Sequence, residues 1–192
     1  MQQLQQKFEE AKAKPSDINE HLDTLYHYAA LSETIVEFGC RWGVSTTALL
    51  YAKPKKLVSY DLEIYPQINE LAKIAATELP ETEFIFRDES TLYANPPECD
   101  LLFLDSYHVY EQVLVELVFH ANRAKKFMVF HDTETFKDKG QTDGYQGIGD
   151  AIEGFLRYHP EWVLIEERKN NNGLLVMAKN QRPIKFWEIG RT

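Results

Sequence analysis

The 192-residue sequence has few cysteines, no long apolar run and no excess of basic residues. Its two cysteines, Cys40 and Cys99, are too few for a disulfide framework, so we expect free thiols. No run reaches the ~18 consecutive apolar residues that a transmembrane helix requires. The 30 acidic residues outnumber the 21 lysines and arginines, which gives a formal net charge of −9. Proteins that bind nucleic acid usually present a basic face, so nucleic acid is a disfavoured partner.

The composition is otherwise that of an ordinary globular chain, with 44% hydrophobic and 27% charged residues. The length suits one domain, so we predict a single domain over 1–192, with N-terminal helices at 1–30, a core at 31–179 and a tail at 180–192. The polar amino terminus lacks the apolar segment of a signal peptide, and we therefore expect a cytoplasmic protein. The first helix and the tail, with Phe186 and Trp187, are candidates for a homodimer contact.

Short apolar runs alternate with segments of helical periodicity through most of the chain. This alternation predicts an α/β fold built on a parallel sheet. The sequence NNNG at 170–173 predicts a hairpin turn, since asparagine and glycine tolerate positive φ. We predict a first strand leading to Gly39, further strands at 56–60, 82–87, 99–104 and 126–130, and a final hairpin of 162–167 with 174–179.

The stretch TIVEFGCRWGVSTT, which begins at residue 34, has the order strand, glycine turn and helix start. This order is typical of the first crossover in a nucleotide-binding α/β sheet. Gly39 and Gly43 would let the backbone approach a ligand closely, and the helix start offers free N–H groups. Glu37 is the one acid in the strand, and a carboxylate there attracts an ammonium group or a ribose hydroxyl. We therefore expect one wall of a ligand site at this turn.

Acidic and histidine side chains follow the other predicted strands at the points where they end. Asp61 follows the second strand, 22 residues after Gly39, which is close to the ~20-residue spacing expected of a ribose-binding acid. Asp88 and Glu89 follow the third strand, in a turn rich in acids and serine that could cap a helix. Because the carboxyl ends of parallel strands meet at one edge of the sheet, we expect these groups at the same rim as the glycine turn.

The fourth and fifth predicted strands are nearly continuous apolar runs, as expected of central strands that are buried on both faces. The fourth ends in Asp105, with His108 three residues later, and the fifth ends in His131 and Asp132. A hydrophilic segment at 134–146 follows, and it could form a mobile loop over the site. Asp105, His108, His131 and Asp132 are therefore the candidate reactive groups of the rim.

The motif E-x-G-x-x-x-G-x-S-T resembles motif I of class I S-adenosylmethionine (SAM) methyltransferases, especially the catechol O-methyltransferase-like branch. The run CDLLFLDSYHVYEQV resembles a segment of the SAM-dependent methyltransferases grouped with cephalosporin hydroxylase-like enzymes. VFHDTETF, GIGDAIEGFL and NNNGLLVM follow in the order seen there. The resemblance implies a Rossmann-like, doubly wound, seven-stranded and mostly parallel sheet with a C-terminal antiparallel hairpin and helices on both faces. Ala124-Lys125-Lys126 stands where the family often has Pro-Gly-Gly, which indicates a divergent branch.

The resemblance also implies SAM as cofactor and assigns roles to the residues singled out above. Glu37 would stabilise the glycine loop or bind the methionine ammonium, and Ser45 and Thr46 would bind the amino-acid moiety. Asp61 would bind the ribose. The predicted cofactor-binding set is Glu37, Gly39, Gly43, Ser45, Thr46, Asp61, Asp88 and Glu89.

Asp105, His131 and Asp132 match a trio that holds Mg²⁺ or another divalent cation in related enzymes. The family commonly has an acid or amide where His131 stands, and a histidine suits a transition metal or a metal-free site. In the metal-free alternative, His108 or His131 would act as the base that removes the acceptor's proton. The predicted catalytic residues are therefore Asp105, His108 and His131, and the choice between the two mechanisms stays open.

The preferred acceptor is a hydroxyl group of a small molecule, because Asp105-Ser106-Tyr107-His108 replaces the Asn/Asp-Pro-Pro-Tyr signature of adenine and glutamine N-methyltransferases. Tyr107 and Tyr145 are candidates for the acceptor side. The alternative function is a catalytically inactive SAM-binding or scaffold protein of the same fold. An NAD-linked oxidoreductase is disfavoured, since the sequence lacks G-x-G-x-x-G.

Overall fold

A computed structural model of the protein describes residues 2–180, in which seven strands form one sheet with helices on both faces. The α-helices are α1 Gln2–Ala13, α2 Leu22–Ala30, α3 Val44–Tyr51, α4 Pro66–Glu78, α5 Tyr110–His120 and α6 Gly149–Tyr158. The strands are β1 Thr34–Phe38, β2 Lys56–Asp61, β3 Glu83–Asp88, β4 Cys99–Leu104, β5 Ala124–His131, β6 Trp162–Arg168 and β7 Leu174–Lys179. None of the helices within residues 2–180 is long and apolar enough to cross a bilayer.

The strand order is β3-β2-β1-β4-β5-β7-β6, and the first five strands pair in parallel. β7 pairs antiparallel with both β5 and β6, so the predicted C-terminal hairpin is confirmed. The predicted strands agree with the observed ones to within one or two residues at each end. The predicted tail contacts of Phe186 and Trp187 lie outside the described residues.

The central strands are buried on both faces, which explains why their sequences are nearly continuous apolar runs. On β4, Phe103 belongs to the cluster that packs under α1, α2, α3 and α4, whereas Leu102 belongs to the cluster under α5 and α6. All six residues of β4 except Asp100 are at least nine-tenths buried. Burial of this kind stabilises a sheet by about 25 cal/mol per Å² of apolar surface.

The connection between β3 and β4 has no helix, in contrast to the connections that contain α3, α4 and α5. Residues 89–98 instead form turns and an irregular segment that contains Pro96 and Pro97. Proline lacks a backbone N–H and cannot continue a helix, which accounts for the irregular backbone. Within residues 2–180, this segment takes the place of a helix in the connection between β3 and β4.

Candidate functional site

A cavity of about 560 Å³ lies at the carboxyl ends of β1, β2, β4 and β5. Its wall on the β1 side contains the glycine turn and Asp61, and its wall on the β4 side contains Asp105, His108 and Asp132. The rule that ligands of doubly wound sheets bind at the carboxyl strand ends therefore holds for this cavity. Seven predicted site residues line it: Gly39, Ser45, Asp61, Glu89, Asp105, His108 and Asp132.

The glycines of the turn are required by packing behind the loop as well as by its backbone conformation. Gly39 has φ of 82°, and a Cβ there would lie 2.1 Å from the carbonyl oxygen of Asp105. Gly43 has φ of 77°, and a Cβ there would lie 2.7 Å from Cδ1 of Leu71 on α4. Of the two, only Gly39 lines the cavity. Glycine at both positions therefore allows the loop to pack closely between the end of β4 and α4. The sequence alone did not reveal this packing requirement.

Glu37 is fully buried beneath the loop and accepts hydrogen bonds from three hydroxyl groups. The donors are Ser45 Oγ at 2.6 Å, Thr46 Oγ1 at 2.8 Å and Ser59 Oγ at 2.5 Å. Glu37 and Thr46 do not line the cavity, and the hydroxyls of Ser45 and Thr46 are directed to the carboxylate. This geometry corresponds to the first of the two predicted roles of Glu37, support of the loop. It differs from the prediction that the two hydroxyls bind the amino-acid moiety of a cofactor.

Burial raises the pKa of Glu37 from its ordinary value of 4.5 to about 7, against the opposing effect of the three hydroxyl donors. The folded state therefore binds this proton more tightly than the unfolded state. Stability from this group is complete at low pH and declines as the pH rises from 4.5 to about 7.

We expect Glu37→Gln to remove that decline, because the amide does not titrate. The difference in unfolding free energy between wild type and variant should change by roughly 2–3 kcal/mol across this pH range. Urea unfolding of both proteins at several pH values measures it. The comparison cancels other titrating groups, and parallel pH profiles would contradict the assigned pKa.

The carboxylate of Asp61 supports the same loop through backbone hydrogen bonds. Its Oδ2 accepts from the N–H groups of Cys40 at 3.0 Å and Arg41 at 2.7 Å, and its Oδ1 accepts from Leu62 N–H at 2.7 Å. A carboxylate has about four acceptor positions, so one on Oδ1 is left for a ligand. Asp61 lines the cavity, as a ribose-binding residue must, whereas neighbouring Asp88 does not.

A second buried carboxylate, which the sequence analysis missed, organises the wall between β3 and α5. Glu116 on α5 is fully buried, and its Oε1 accepts from Thr91 Oγ1 at 2.5 Å, Ser106 Oγ at 2.6 Å and Gln112 Nε2 at 2.8 Å. Thr91, Ser106 and Gln112 all line the cavity. The only available signal was a glutamate on the buried face of α5, and its partner Thr91 lies 25 residues away in the sequence.

Asp105, His108, His131 and Asp132 meet at the ends of β4 and β5, as predicted. Asp105 Oδ1 lies 3.1 Å from His108 Nε2 and 3.2 Å from His131 Nδ1, and Asp132 Oδ2 lies 3.2 Å from His108 Nε2. Donor atoms of Asp105, His131 and Asp132 all lie within 4.8 Å of one another. His108 lines the cavity, whereas His131 is 1% exposed and lies behind it.

The two histidines and two carboxylates shift one another's pKa. Burial alone would lower the pKa of His131, but Asp105 and Asp132 outweigh burial and raise it to about 9. The pKa of His108 is raised by the same carboxylates, again against burial. Burial would raise the pKa of Asp105, but His131 and His108 lower it to about 2. His131 therefore binds its second proton more tightly than an ordinary histidine, unless a metal cation takes the place of that proton.

The outer nitrogen of each histidine has an acceptor that determines its protonation. His131 Nε2 lies 3.1 Å from the carbonyl oxygen of Asp17, and His108 Nδ1 lies 3.0 Å from Oε1 of Gln141. Because a carbonyl oxygen only accepts, each outer nitrogen carries a hydrogen. The inner nitrogen of each ring then faces carboxylate oxygen with a lone pair, unless a second proton is bound. Metal-binding histidines have this arrangement of a donated outer N–H and an inward lone pair.

The donor set therefore fits a divalent cation. Asp132 Oδ1 is buried without a hydrogen-bond partner among residues 2–180, although His131 Nδ1 lies 3.6 Å away. A cation held by Asp105, His131 and Asp132 would satisfy this oxygen. Imidazole ligands favour a first-row transition metal over Mg²⁺, which prefers an all-oxygen shell.

Gln141 is a site residue that the sequence analysis missed, because it lies in the hydrophilic segment after β5. Its backbone N–H donates to the His108 carbonyl oxygen at 2.8 Å, in addition to the side-chain contact with the ring. In the same segment, the hydroxyl group of Thr142 contacts that of Tyr107, and the backbone carbonyl oxygen of Gln146 accepts from the N–H of Tyr110 at 2.9 Å. The segment is thus packed against the start of α5.

We expect Gln141→Ala to release the His108 ring while the fold stays intact. With no acceptor at Nδ1, the ring can rotate or change tautomer, which ¹⁵N NMR of the histidine nitrogens detects. Gln146→Ala is the matched control, because its side chain lies in the same segment and contacts Asp150 instead. An unchanged His108 spectrum in Gln141→Ala would contradict the positioning role.

No protein-family model matches the sequence. No curated protein matches it either. A Staphylococcus aureus protein described as a caffeoyl-CoA O-methyltransferase is 14% identical, with a TM-score of 0.63 over 91% of this chain and 90% of that chain. The Podospora anserina methyltransferase PaMTH1, bound to S-adenosylhomocysteine (SAH), is 16% identical, with a TM-score of 0.57 over 92% of this chain and 87% of that chain.

The O-methyltransferase TomG of Streptomyces achromogenes, solved in complex with SAM, is 16% identical. Its TM-score is 0.59 over 86% of this chain and 81% of that chain. These identities are low, so the likeness concerns the arrangement of the backbone. The predicted seven-stranded, mostly parallel sheet is confirmed by it. The chain therefore has the fold of these solved methyltransferases.

Proposed function

We propose that the protein transfers the methyl group of SAM to a hydroxyl group of a small molecule. The observation that carries the proposal is the cavity with two chemically different walls. One wall has the glycine turn and Asp61, which suit a nucleoside cofactor, and the other has Asp105, His108 and Asp132, which suit proton transfer. SAM in TomG and SAH in PaMTH1, two proteins of the same fold, support the choice of cofactor.

In this proposal the backbone of the Gly39 turn and the free acceptor position of Asp61 bind the cofactor. Glu89, Thr91 and Gln112 line the part of the cavity beyond Asp61, and they are the candidates for contact with the base. Glu37 acts from beneath the loop by fixing Ser45 and Ser59. Methyl transfer needs the acceptor oxygen close to the methyl group and in line with it, so rigid walls favour the reaction.

His108 is the proposed base. It lines the cavity and has its Nε2 between the carboxylates of Asp105 and Asp132, whereas both nitrogens of His131 are directed to Asp105 and to the Asp17 carbonyl. The neighbouring carboxylates stabilise the protonated ring after it has accepted the hydroxyl proton. Gln141 keeps the ring oriented through Nδ1.

Asp105, His131 and Asp132 are the proposed ligands of a divalent metal ion. A bound metal ion would lower the pKa of an acceptor hydroxyl and orient it. Asp105 then has two roles, since its Oδ1 also contacts His108. With an imidazole in the set, Mn²⁺, Fe²⁺ or Zn²⁺ is a better candidate than Mg²⁺.

Calorimetric titration of the protein with SAH, SAM and NAD tests the cofactor assignment. We expect saturable binding of SAH and SAM and no binding of NAD. Failure of both SAM and SAH to bind would refute the proposed function. Binding without product, in a screen of hydroxylated small molecules with methyl-labelled SAM, would favour the alternative of an inactive SAM-binding or scaffold protein.

A further inference from the structure

A second concave surface, which we call the β2–β3 groove, lies on the sheet face that has no helix between β3 and β4. Its volume is about 480 Å³. The half-buried Ile85 of β3 and Pro97 form its apolar floor, above the buried Val58 and Tyr60 of β2, and Asn95 and Pro96 form one side. The groove shares only Tyr60 and Glu89 with the cofactor cavity, so it is a separate site with a common wall.

Three cationic side chains line this groove in a protein of net charge −9. Lys56 forms an ion pair with Glu83 at 2.8 Å. Arg87 is exposed and has no side-chain hydrogen bond or ion pair with any residue of the described part of the chain. An unpaired arginine beside an apolar floor is available to a ligand rather than to the fold.

Arg123 lies at the end of the turn that follows α5, and one of its N–H donors lacks an acceptor among residues 2–180. Its Nη2 donates to Asn95 Oδ1 at 2.8 Å, which orients the guanidinium group. Its Nε is shielded from solvent and has no acceptor among residues 2–180. A buried donor without an acceptor costs about 1–3 kcal/mol, more for a charged group. An anion in the groove would supply the missing acceptor.

Acidic groups near the groove do not cancel this positive charge. Glu89 is the one carboxylate of residues 2–180 that lines it. Glu98 lies close enough to Arg123 to be influenced by its charge, but it forms an ion pair with Lys125 at 2.8 Å. The two arginines therefore face the groove with a net positive charge.

We propose that the β2–β3 groove binds a small molecule that carries a phosphate monoester on an apolar or aromatic body. Guanidinium groups present paired N–H donors that match phosphate oxygens. Arg87 and Arg123 bind the phosphate, and the body lies on Ile85 and Pro97. Because the groove and the cofactor cavity are lined by different residues apart from Tyr60 and Glu89, this binding does not depend on the proposed methyl transfer.

Calorimetric titration of the full chain with phenyl phosphate and with inorganic phosphate tests the proposal. We expect saturable binding of phenyl phosphate, tighter than that of inorganic phosphate because of the apolar floor. Arg87→Gln and Arg123→Gln should each weaken it at least tenfold. Arg157→Gln, which changes an exposed arginine of α6 far from the groove in sequence, should leave it unchanged.

Arg87→Lys is a milder change at an exposed strand position, and it keeps the test valid if Arg123→Gln unfolds. It should weaken binding of phenyl phosphate, because a single ammonium group replaces the paired N–H donors of the guanidinium group. Absence of saturable binding up to about 10 mM phenyl phosphate would overturn the proposal. Equal affinity in wild type, Arg87→Gln and Arg87→Lys would overturn it too.

Discussion

Replacing Gly39 by alanine should destabilise the protein by at least about 3 kcal/mol. Two effects add at this position. A left-handed backbone costs a non-glycine residue roughly 1–2 kcal/mol, and φ here is 82°. The new Cβ would also lie 2.1 Å from the carbonyl oxygen of Asp105, a backbone atom directly after β4 that cannot simply rotate away. The loop or the end of β4 must move, and both walls of the cavity move with them.

Gly154→Ala is the matched control for this experiment. Gly154 lies within α6, and a Cβ there would meet nothing within 4 Å. Alanine should therefore stabilise the helix, by roughly 0.5–1 kcal/mol. Urea unfolding of the two variants measures the contrast. If Gly39→Ala unfolded at the same urea concentration as wild type, the tight contact between the glycine loop and β4 would be wrong.

Asp105→Asn should abolish binding of a divalent transition metal and slow methyl transfer by at least about 10²-fold. Asp105 Oδ1 contacts both histidines, at 3.1 Å from His108 Nε2 and 3.2 Å from His131 Nδ1. The amide keeps the volume of the side chain but removes its charge, so the inner nitrogens of His108 and His131 lose their main counter-charge. Asp143→Asn, at an exposed acid of the loop after β5, is the control and should leave both properties unchanged.

The pH dependence of metal binding distinguishes a true ligand role of His131 from weak surface binding. A metal ion can bind Nδ1 of His131 only after the ring loses its second proton, and the pKa for that loss is about 9. Below that pH the apparent affinity should rise roughly tenfold per pH unit, because one proton is released for each ion bound. Titration of the protein with Zn²⁺ or Mn²⁺ at several pH values measures the slope. An affinity that does not change with pH would exclude His131 as a ligand.

Several features of the site were predictable from the sequence because they depend on the order of strands and on where each strand ends. Parallel strands bring their carboxyl ends to one edge of a sheet, so Asp61, Asp105 and Asp132 could be assigned to one rim from local patterns alone. The same reasoning located His108 and the glycine turn. These assignments need no knowledge of side-chain packing.

Side-chain partners that come from distant parts of the chain were not predictable. Asp17 is 114 residues from His131, and Gln141 is 33 residues from His108, yet each determines which nitrogen of its histidine carries hydrogen. The hydrogen bonds that Ser45 and Thr46 donate to Glu37 depend on how α3 packs over β1. Such contacts depend on the relative positions of helices and loops, which a periodic pattern does not encode.

The sequence by itself determined the sheet, the strand ends and the set of acids and histidines at the rim, because periodicity and strand order are local properties. Only the tertiary structure decided that Glu37 lies beneath the loop rather than in the cavity. It also decided that Gly39 is needed for contact with β4 and that an uncovered groove adjoins β3. The physical reason is that burial and close contact arise between elements, after each has formed, and depend on the packing of the whole molecule.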